Sequence, residues 1–234
     1  MRQIILDTET TGLSPALGHR IIEVAAVEMI NRRLTGNHYH CYLNPEREID
    51  AGAQQVHGIS LEFLQDKPKF AEVSQAFLSF IDGGELVIHN APFDVGFLDH
   101  ELSLLSLDPV RTYCAGVIDT LKLAKELHPG QKNNLDALCR RYAVDNSNRT
   151  LHGALLDAEL LAEVYLAMTR GQESLMIDMA PPPQAITTDT SLPPSLPLMV
   201  LYASGEELEA HAVLLADIEK ASKGACIWQQ LDKA

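Results

Sequence analysis

Two carboxylates, Asp7 and Glu9, are separated by one residue where the apolar run Ile4-Ile5-Leu6 stops. Side chains on an extended chain alternate between faces, so these two point the same way. Placed side by side they repel each other, and hard oxygen donors so arranged suit Mg²⁺ or Mn²⁺ better than zinc. A third carboxylate, Asp94, closes the run His89-Asn90-Ala91-Pro92-Phe93-Asp94, in the first turn of an expected helix directly after an apolar stretch. An acidic residue there also favours the helix dipole, which is its plain structural reading. A fourth, Asp157, follows His152 in His152-Gly153-Ala154-Leu155-Leu156-Asp157. Five residues amount to about 140° of helical rotation, so His152 and Asp157 do not share a helix face. They converge only if His152 lies at or before the helix start, on a mobile segment containing Gly153. Each motif alone has a bland reading, a turn or a surface histidine, and only the set points to chemistry.

The elements that must position these residues are legible in the hydrophobic pattern. Residues 2–6, 21–30 and 33–43 are rich in Ile, Val, Leu and Tyr and are separated by turn residues, which predicts an antiparallel meander. Phe70, Val73, Phe77, Phe80 and Ile81 recur at helical spacing, and Gly83-Gly84 ends that helix before a buried strand over 85–89. Pro92 suits the first turn of a helix over 93–105. Further helices are expected at 119–127, 134–142 and 153–168, so the whole reads as an α/β domain with a mixed sheet. After residue 170 the composition changes: Pro181-Pro182-Pro183, Pro193-Pro194 and Pro197 bracket a Ser/Thr-rich stretch that reads as a semi-extended linker. Beyond it a strand over 198–202, a helix over 205–222 and a short strand around Cys226-Ile227-Trp228 are expected. That tail is too short for a core of its own and is expected to fold against a partner.

The chain has 234 residues, 46% of them hydrophobic, and a formal charge of -14. It contains no apolar window long enough to span a membrane and no signal-type N-terminus, which predicts a cytoplasmic protein. Cys41, Cys114, Cys139 and Cys226 are widely spaced, so they are expected to be reduced, mostly buried thiols rather than zinc ligands or disulfides. Residues 1–170 carry 15 Lys and Arg against 23 Asp and Glu, and residues 171–234 carry 3 against 9. A basic stripe for phosphates is therefore absent, and a nucleic-acid substrate would have to be held through bound cations and delivered by a partner.

Together the motifs Asp-x-Glu-Thr-Thr-Gly at 7–12, His-Asn-Ala-x-Phe-Asp at 89–94 and His-x-x-x-x-Asp at 152–157 resemble the DEDDh exonucleases. The similarity extends to the epsilon-type proofreading subunits of bacterial DNA polymerase III through Asn31-Arg32-Arg33-Leu34-Thr35-Gly36, Val56-His57-Gly58-Ile59 and Arg149–Ala158, and covers residues 1–170 and more weakly the tail. The resemblance implies a ribonuclease H-like fold and 3′→5′ hydrolysis of DNA to 5′-mononucleotides. Asp7, Glu9 and Asp157 would hold one divalent cation, Asp7 and Asp94 a second, and His152 would be the general base. It further implies that Thr8, Leu13 and His57 contact the terminal nucleotide. The loop between Gly12 and His19 is shorter than the family pattern, which leaves its role in partner binding open.

The resulting organisation is an exonuclease domain over 1–170, a linker over 171–197 and a polymerase-binding segment over 198–234. Gln172, Leu175 and Ile177 resemble the short peptides that dock on the bacterial sliding clamp, and Trp228 lies in a segment similar to the one that anchors such subunits to the polymerase III alpha subunit. A linker of this kind would hold the nuclease at high effective concentration near primer 3′ ends. Two other readings remain at this stage: an RNA-trimming DEDDh exonuclease, and a non-catalytic scaffold joining polymerase and clamp.

Overall fold

The computed structural model describes residues 1–149, 151–170, 203–222 and 228, in two units that divide after Ile177. The expected linker, the peptide with Gln172, Leu175 and Ile177, the strand over 198–202 and Cys226-Ile227 lie outside the described residues.

In the first unit, strand β1 (Arg2–Thr10) is followed by a 3-10 turn at Pro15–Leu17 and by β2 (Ile21–Ile30) and β3 (Arg33–Tyr42). The β2–β3 turn places Asn31 and Arg32 at φ 49° and 63°, the two positive-φ residues of a tight hairpin whose twist matches its strands. Three helices come next, α1 (Ala51–His57), α2 (Leu61–Leu64) and α3 (Phe70–Ile81). Then follow β4 (Glu85–Ile88), α4 (Ala91–Leu104), β5 (Gly116–Asp119), α5 (Thr120–Leu127), α6 (Leu135–Tyr142) and α7 (Ala154–Met168). The sheet order is β3-β2-β1-β4-β5; β1, β2 and β3 are antiparallel, while β4 and β5 run parallel to β1.

Alternation along β1 sorts the core into two layers. Ile4 and Leu6 pack with Phe77 and Ile81 of α3 and with Phe97 and Leu98 of α4. Ile5 packs on the other face with Leu138 of α6 and Leu161 of α7. The helix over 70–81 has the predicted bounds, and Glu72 Oε1 accepts the Lys69 backbone N–H at 2.9 Å to finish its first turn. A partly buried ion pair links α4 to the start of β2: Arg20 donates to the buried Glu101 at Oε1, 2.7 Å, and at Oε2, 2.6 Å, and the Ile21 N–H donates to Oε1 at 3.2 Å.

The structure differs from the sequence pattern in three respects. Strand β1 runs on to Thr10, so Asp7 and Glu9 belong to the sheet itself. Strand β5 and helices α1 and α2 arise where no regular element was expected. Cys139 is a buried free thiol, but Cys41 and Cys114 are partly exposed, which corrects the expectation of mostly buried cysteines. Cys41 owes its exposure to its place on the edge strand β3.

In the second unit, α8 (Gly205–Ala221) has the predicted position and begins on a capping box, with Ser204 N–H donating to Glu207 Oε2 at 2.8 Å. None of its residues is buried, and Leu208, Val213, Leu214 and Ile218 are exposed, as is Trp228. Among the described residues no helix is long and apolar enough to cross a membrane.

Candidate active site

The site lies at the carboxyl ends of β1 and β4. Their parallel register pairs Leu6 with Ile88, so both strands deliver their following residues to the same sheet edge. Asp7 and Glu9 continue the Ile5 row, which faces α7, while Thr8 continues the Leu6 row, which faces α4. Asp157 is in the first turn of α7 and Asp94 in the first turn of α4, so each helix start adds a carboxylate from its own side. Thr8 fixes Asp94 by donating its backbone N–H at 3.1 Å and its hydroxyl at 2.7 Å to Oδ1.

These groups converge. Glu9, His152 and Asp157 each offer a ligand atom, and these atoms all lie within 4.8 Å of one another. Asp7 lines the same cavity of about 210 Å³ as His152 and Asp157, together with His89, Asp136 and Arg149. Burial, then the charges of Asp94, Glu9 and Asp157, raises the Asp7 carboxyl well above the usual carboxylate range. Burial, then the Asp157 and Glu23 charges, pushes Glu9 up to about 8, although Arg149 opposes the shift. Burial likewise pushes Asp94 up to about 7 against the hydrogen bonds from Thr8. Desolvated carboxylates that hold protons this tightly lack positive charge, and carboxylate oxygens gathered beside one imidazole fit divalent cations.

His152 stands where the motif spacing required it, immediately before Gly153, which caps α7 in extended conformation at φ -156°. Its segment is anchored: the His152 N–H donates to Val56 O at 3.1 Å, and Leu151 packs over Gly58. Gly58 ends α1 at φ 72°, and a Cβ there would come within 2.5 Å of Leu151 Cδ1, so glycine is needed on both counts. Burial and then the Arg149 charge hold the His152 imidazole below its usual 6.5. Its Nδ1 lies 3.6 Å from Asp157 Oδ2 and accepts from Arg149 Nη2 at 3.1 Å.

Thr8, Leu13 and His57 line a second cavity of about 150 Å³ beside Glu9, with Phe93 and Val56. Leu13, 86% exposed, forms its rim. His57 Nδ1 accepts from the Ile59 N–H at 3.0 Å, so the neutral ring carries its proton on Nε2, which is buried and without a partner among the described residues. A group that accepts a hydrogen bond would complete this pocket. Gly12 closes the neighbouring turn; a Cβ there would collide with the His19 ring at 2.3 Å.

Sequence reasoning missed four residues here. Arg149 stood in the quoted motif as a match only, and its link to Asp136 across 13 positions has no local signature. Glu23 enters because the β1–β2 register sets it opposite Glu9, and His89 because the cavity reaches past the end of β4.

The family model described as Exonuclease, RNase T, matches residues 4–165. DNA polymerase III subunit epsilon of Escherichia coli (strain K12) is 51% identical over 238 residues, covering 97% of each chain. That of Pasteurella multocida (strain Pm70) is 50% identical over 237 residues, covering 98% of this chain and 94% of the other. Among solved structures, Exonuclease X in complex with 5′ overhanging duplex DNA aligns with a TM-score of 0.57 and 28% identity, over 73% of this chain and 92% of that one. The nuclease domain of 3′hExo, a DEDDh family member bound to rAMP, shares the fold, with a TM-score of 0.63 and 19% identity over 73% of this chain and 92% of that one.

Proposed function

Because the chain belongs to the DEDDh exonuclease family and is a 3′→5′ exonuclease of the DNA polymerase III epsilon type, we propose that Asp7, Glu9, Asp94 and Asp157 hold two divalent cations, Mg²⁺ or Mn²⁺, at the 3′ end of DNA. When bound, such cations lower the pKa of an attacking water and stabilise the leaving 3′ oxygen. His152 takes the proton from that water, its imidazole being held in the neutral, accepting form by burial. Thr8 fixes the Asp94 carboxylate through its two hydrogen bonds. Leu13 and Phe93 offer apolar surface to the terminal nucleotide, and the orphaned His57 Nε2–H donates to it. The product is a nucleoside 5′-monophosphate.

The observation that carries this reading is the convergence of buried, mutually repelling carboxylates from three separated segments beside an imidazole. The same reading makes residues 1–170 the nuclease domain, 171–197 a tether whose Gln172, Leu175 and Ile177 dock on the sliding clamp, and 198–234 the anchor to the polymerase III alpha subunit through Trp228. Relatives named as polymerase III subunits at half identity over nearly the full chain favour this assembly over an RNA trimmer or an idle scaffold, and favour the cytoplasm as its place of work. Delivery by these partners compensates for a net charge of -14, which alone would repel DNA.

The test is release of 5′-mononucleotides from 3′-end-labelled single-stranded DNA and RNA of matched sequence, in Mg²⁺, Mn²⁺ or EDTA, for wild type and Asp7→Ala. Cation-dependent loss of DNA that the substitution abolishes is expected. Preference for short RNA would favour the trimming enzyme. No activity on either, with the polymerase partner present, would leave the scaffold.

A further inference from the structure

We propose that Arg149 is a positioning residue that latches the site: one guanidinium holds both oxygens of Asp157 and the Nδ1 lone pair of His152, and must leave them for cation binding and proton transfer.

The geometry is closed around this side chain. Arg149 Nε donates to Asp157 Oδ1 at 2.5 Å and Nη2 to Oδ2 at 2.6 Å, a bidentate fork onto the carboxylate. Nη2 also reaches His152 Nδ1 at 3.1 Å, and Nη1 donates to Asp136 Oδ1 at 2.7 Å. The Arg149 and Asp157 side chains are 5% and 4% exposed, so little water weakens the fork, whereas His152 and Asp136 are more open to solvent. An arginine only donates, so His152 Nδ1 must accept. A neutral His152 then carries its proton on Nε2, and its basic nitrogen is the one that Arg149 covers.

Two requirements of the proposed reaction therefore meet in one side chain. A cation at Asp157 competes with the fork for the same two oxygens, and it repels the guanidinium at the same place. In the tautomer that this contact fixes, Nδ1 is the basic nitrogen, so a water giving up its proton to His152 needs that lone pair. Release of Arg149 satisfies both, and because Arg149 and His152 lie three residues apart, cation capture and freeing of the base are coupled. Asp136 supplies the pivot. Its Oδ1 also accepts from Asn146 Nδ2 at 3.2 Å, and it can keep Nη1 while the rest of the guanidinium swings off Asp157.

The inference rests on Asp157 being a cation ligand, and the experiment separates the two. Mn²⁺ binding by the full chain is followed by electron paramagnetic resonance for wild type, R149Q, R149K and D136N. The latch predicts that R149Q and R149K both bind Mn²⁺ at least about tenfold tighter, the weight of breaking even one of the fork's charge-assisted hydrogen bonds before the cation can bind. D136N loosens the pivot while keeping the arginine, but it also removes a negative charge from the cavity lining, so it is expected to bind more tightly by a smaller factor. In wild type, Mg²⁺ should also shift the ¹⁵Nδ1 resonance of His152, and in R149Q that nitrogen should already be free of its donor. Tighter binding by R149Q with R149K unchanged would reduce the effect to net charge and overturn the latch. Weaker binding by R149K, which keeps the net charge, would show that Arg149 merely supports the ligands and would overturn the latch. Wild type that binds no Mn²⁺ would remove the function itself, and the latch with it.

Discussion

Replacing Glu9 by glutamine should stabilise the protein in EDTA at neutral pH, although it removes a proposed cation ligand. The Glu9 residue is 9% exposed, and its carboxyl is pushed from its usual 4.5 to about 8, first by burial and then by Asp157 and Glu23. An acid that binds its proton more tightly folded than unfolded favours folding below pH 4.5, and that advantage is lost as pH rises through the interval to 8. At pH 7 the unfolded group is fully ionised while the folded one is still mostly protonated. At ~1.36 kcal/mol per pH unit the site then costs about 3 kcal/mol of stability relative to pH 4. Titration shared with Asp7 and Asp94 spreads this cost over the cluster, so about 1–3 kcal/mol is the range for one substitution. The glutamine side chain fills a similar volume and has no charge to lose. Urea unfolding in EDTA should therefore find Glu9→Gln more stable than wild type at pH 7.5 and equal to it near pH 4.5. Saturating Mn²⁺ should reverse the order, because only the intact carboxylates gain from the cation. A variant less stable than wild type at both pH values in EDTA would refute the claim that charge repulsion governs this site.

Four further outcomes follow from other parts of the structure. At saturating cation, which keeps the carboxylates ionised, activity should rise with pH through a midpoint below 6.5, since His152 must be neutral to accept a proton and burial lowers its affinity for one; a midpoint above 7 in a kcat profile under that condition would count against it as the base. His57→Ala should raise KM for single-stranded DNA about tenfold with a smaller change in kcat, because the residue lines the second cavity without belonging to the cation cluster. Glu101→Ala should destabilise the protein by about 3 kcal/mol in urea melts, leaving Arg20 without its bidentate partner. Gly12→Ala should cost about 1–3 kcal/mol, since the new methyl group must displace the buried His19 ring and its contact with Thr11 Oγ1 at 3.1 Å; an unchanged Tm would show that the ring moves freely.

Much of this molecule was legible because its determinants are local. Alternation over Ile4-Ile5-Leu6-Asp7-Thr8-Glu9 sets Asp7 and Glu9 on one face of a strand whatever that strand pairs with. Apolar residues at helical spacing define α3, and the positions of Asp94 and Asp157 just inside helix starts follow from Pro92 and Gly153. The displacement of His152 from the α7 face is likewise a matter of helical angle alone. Four-residue β5 carries no readable period, and α1, with Gly52, Gln54 and Gln55, presents no apolar stripe, so both escaped detection. Tertiary structure alone decided that the two helix starts face opposite sides of β1, because parallel pairing of β4 with β1 is a contact between residues some eighty positions apart. It also placed Glu23 behind Glu9 and brought Arg149 onto Asp157, Asp136 and His152 together. Sequence thus specified which charges the chain carries and which way each points within its own element, and folding determined which charges must share one desolvated space, because Coulomb energy depends on distances that only long-range packing sets.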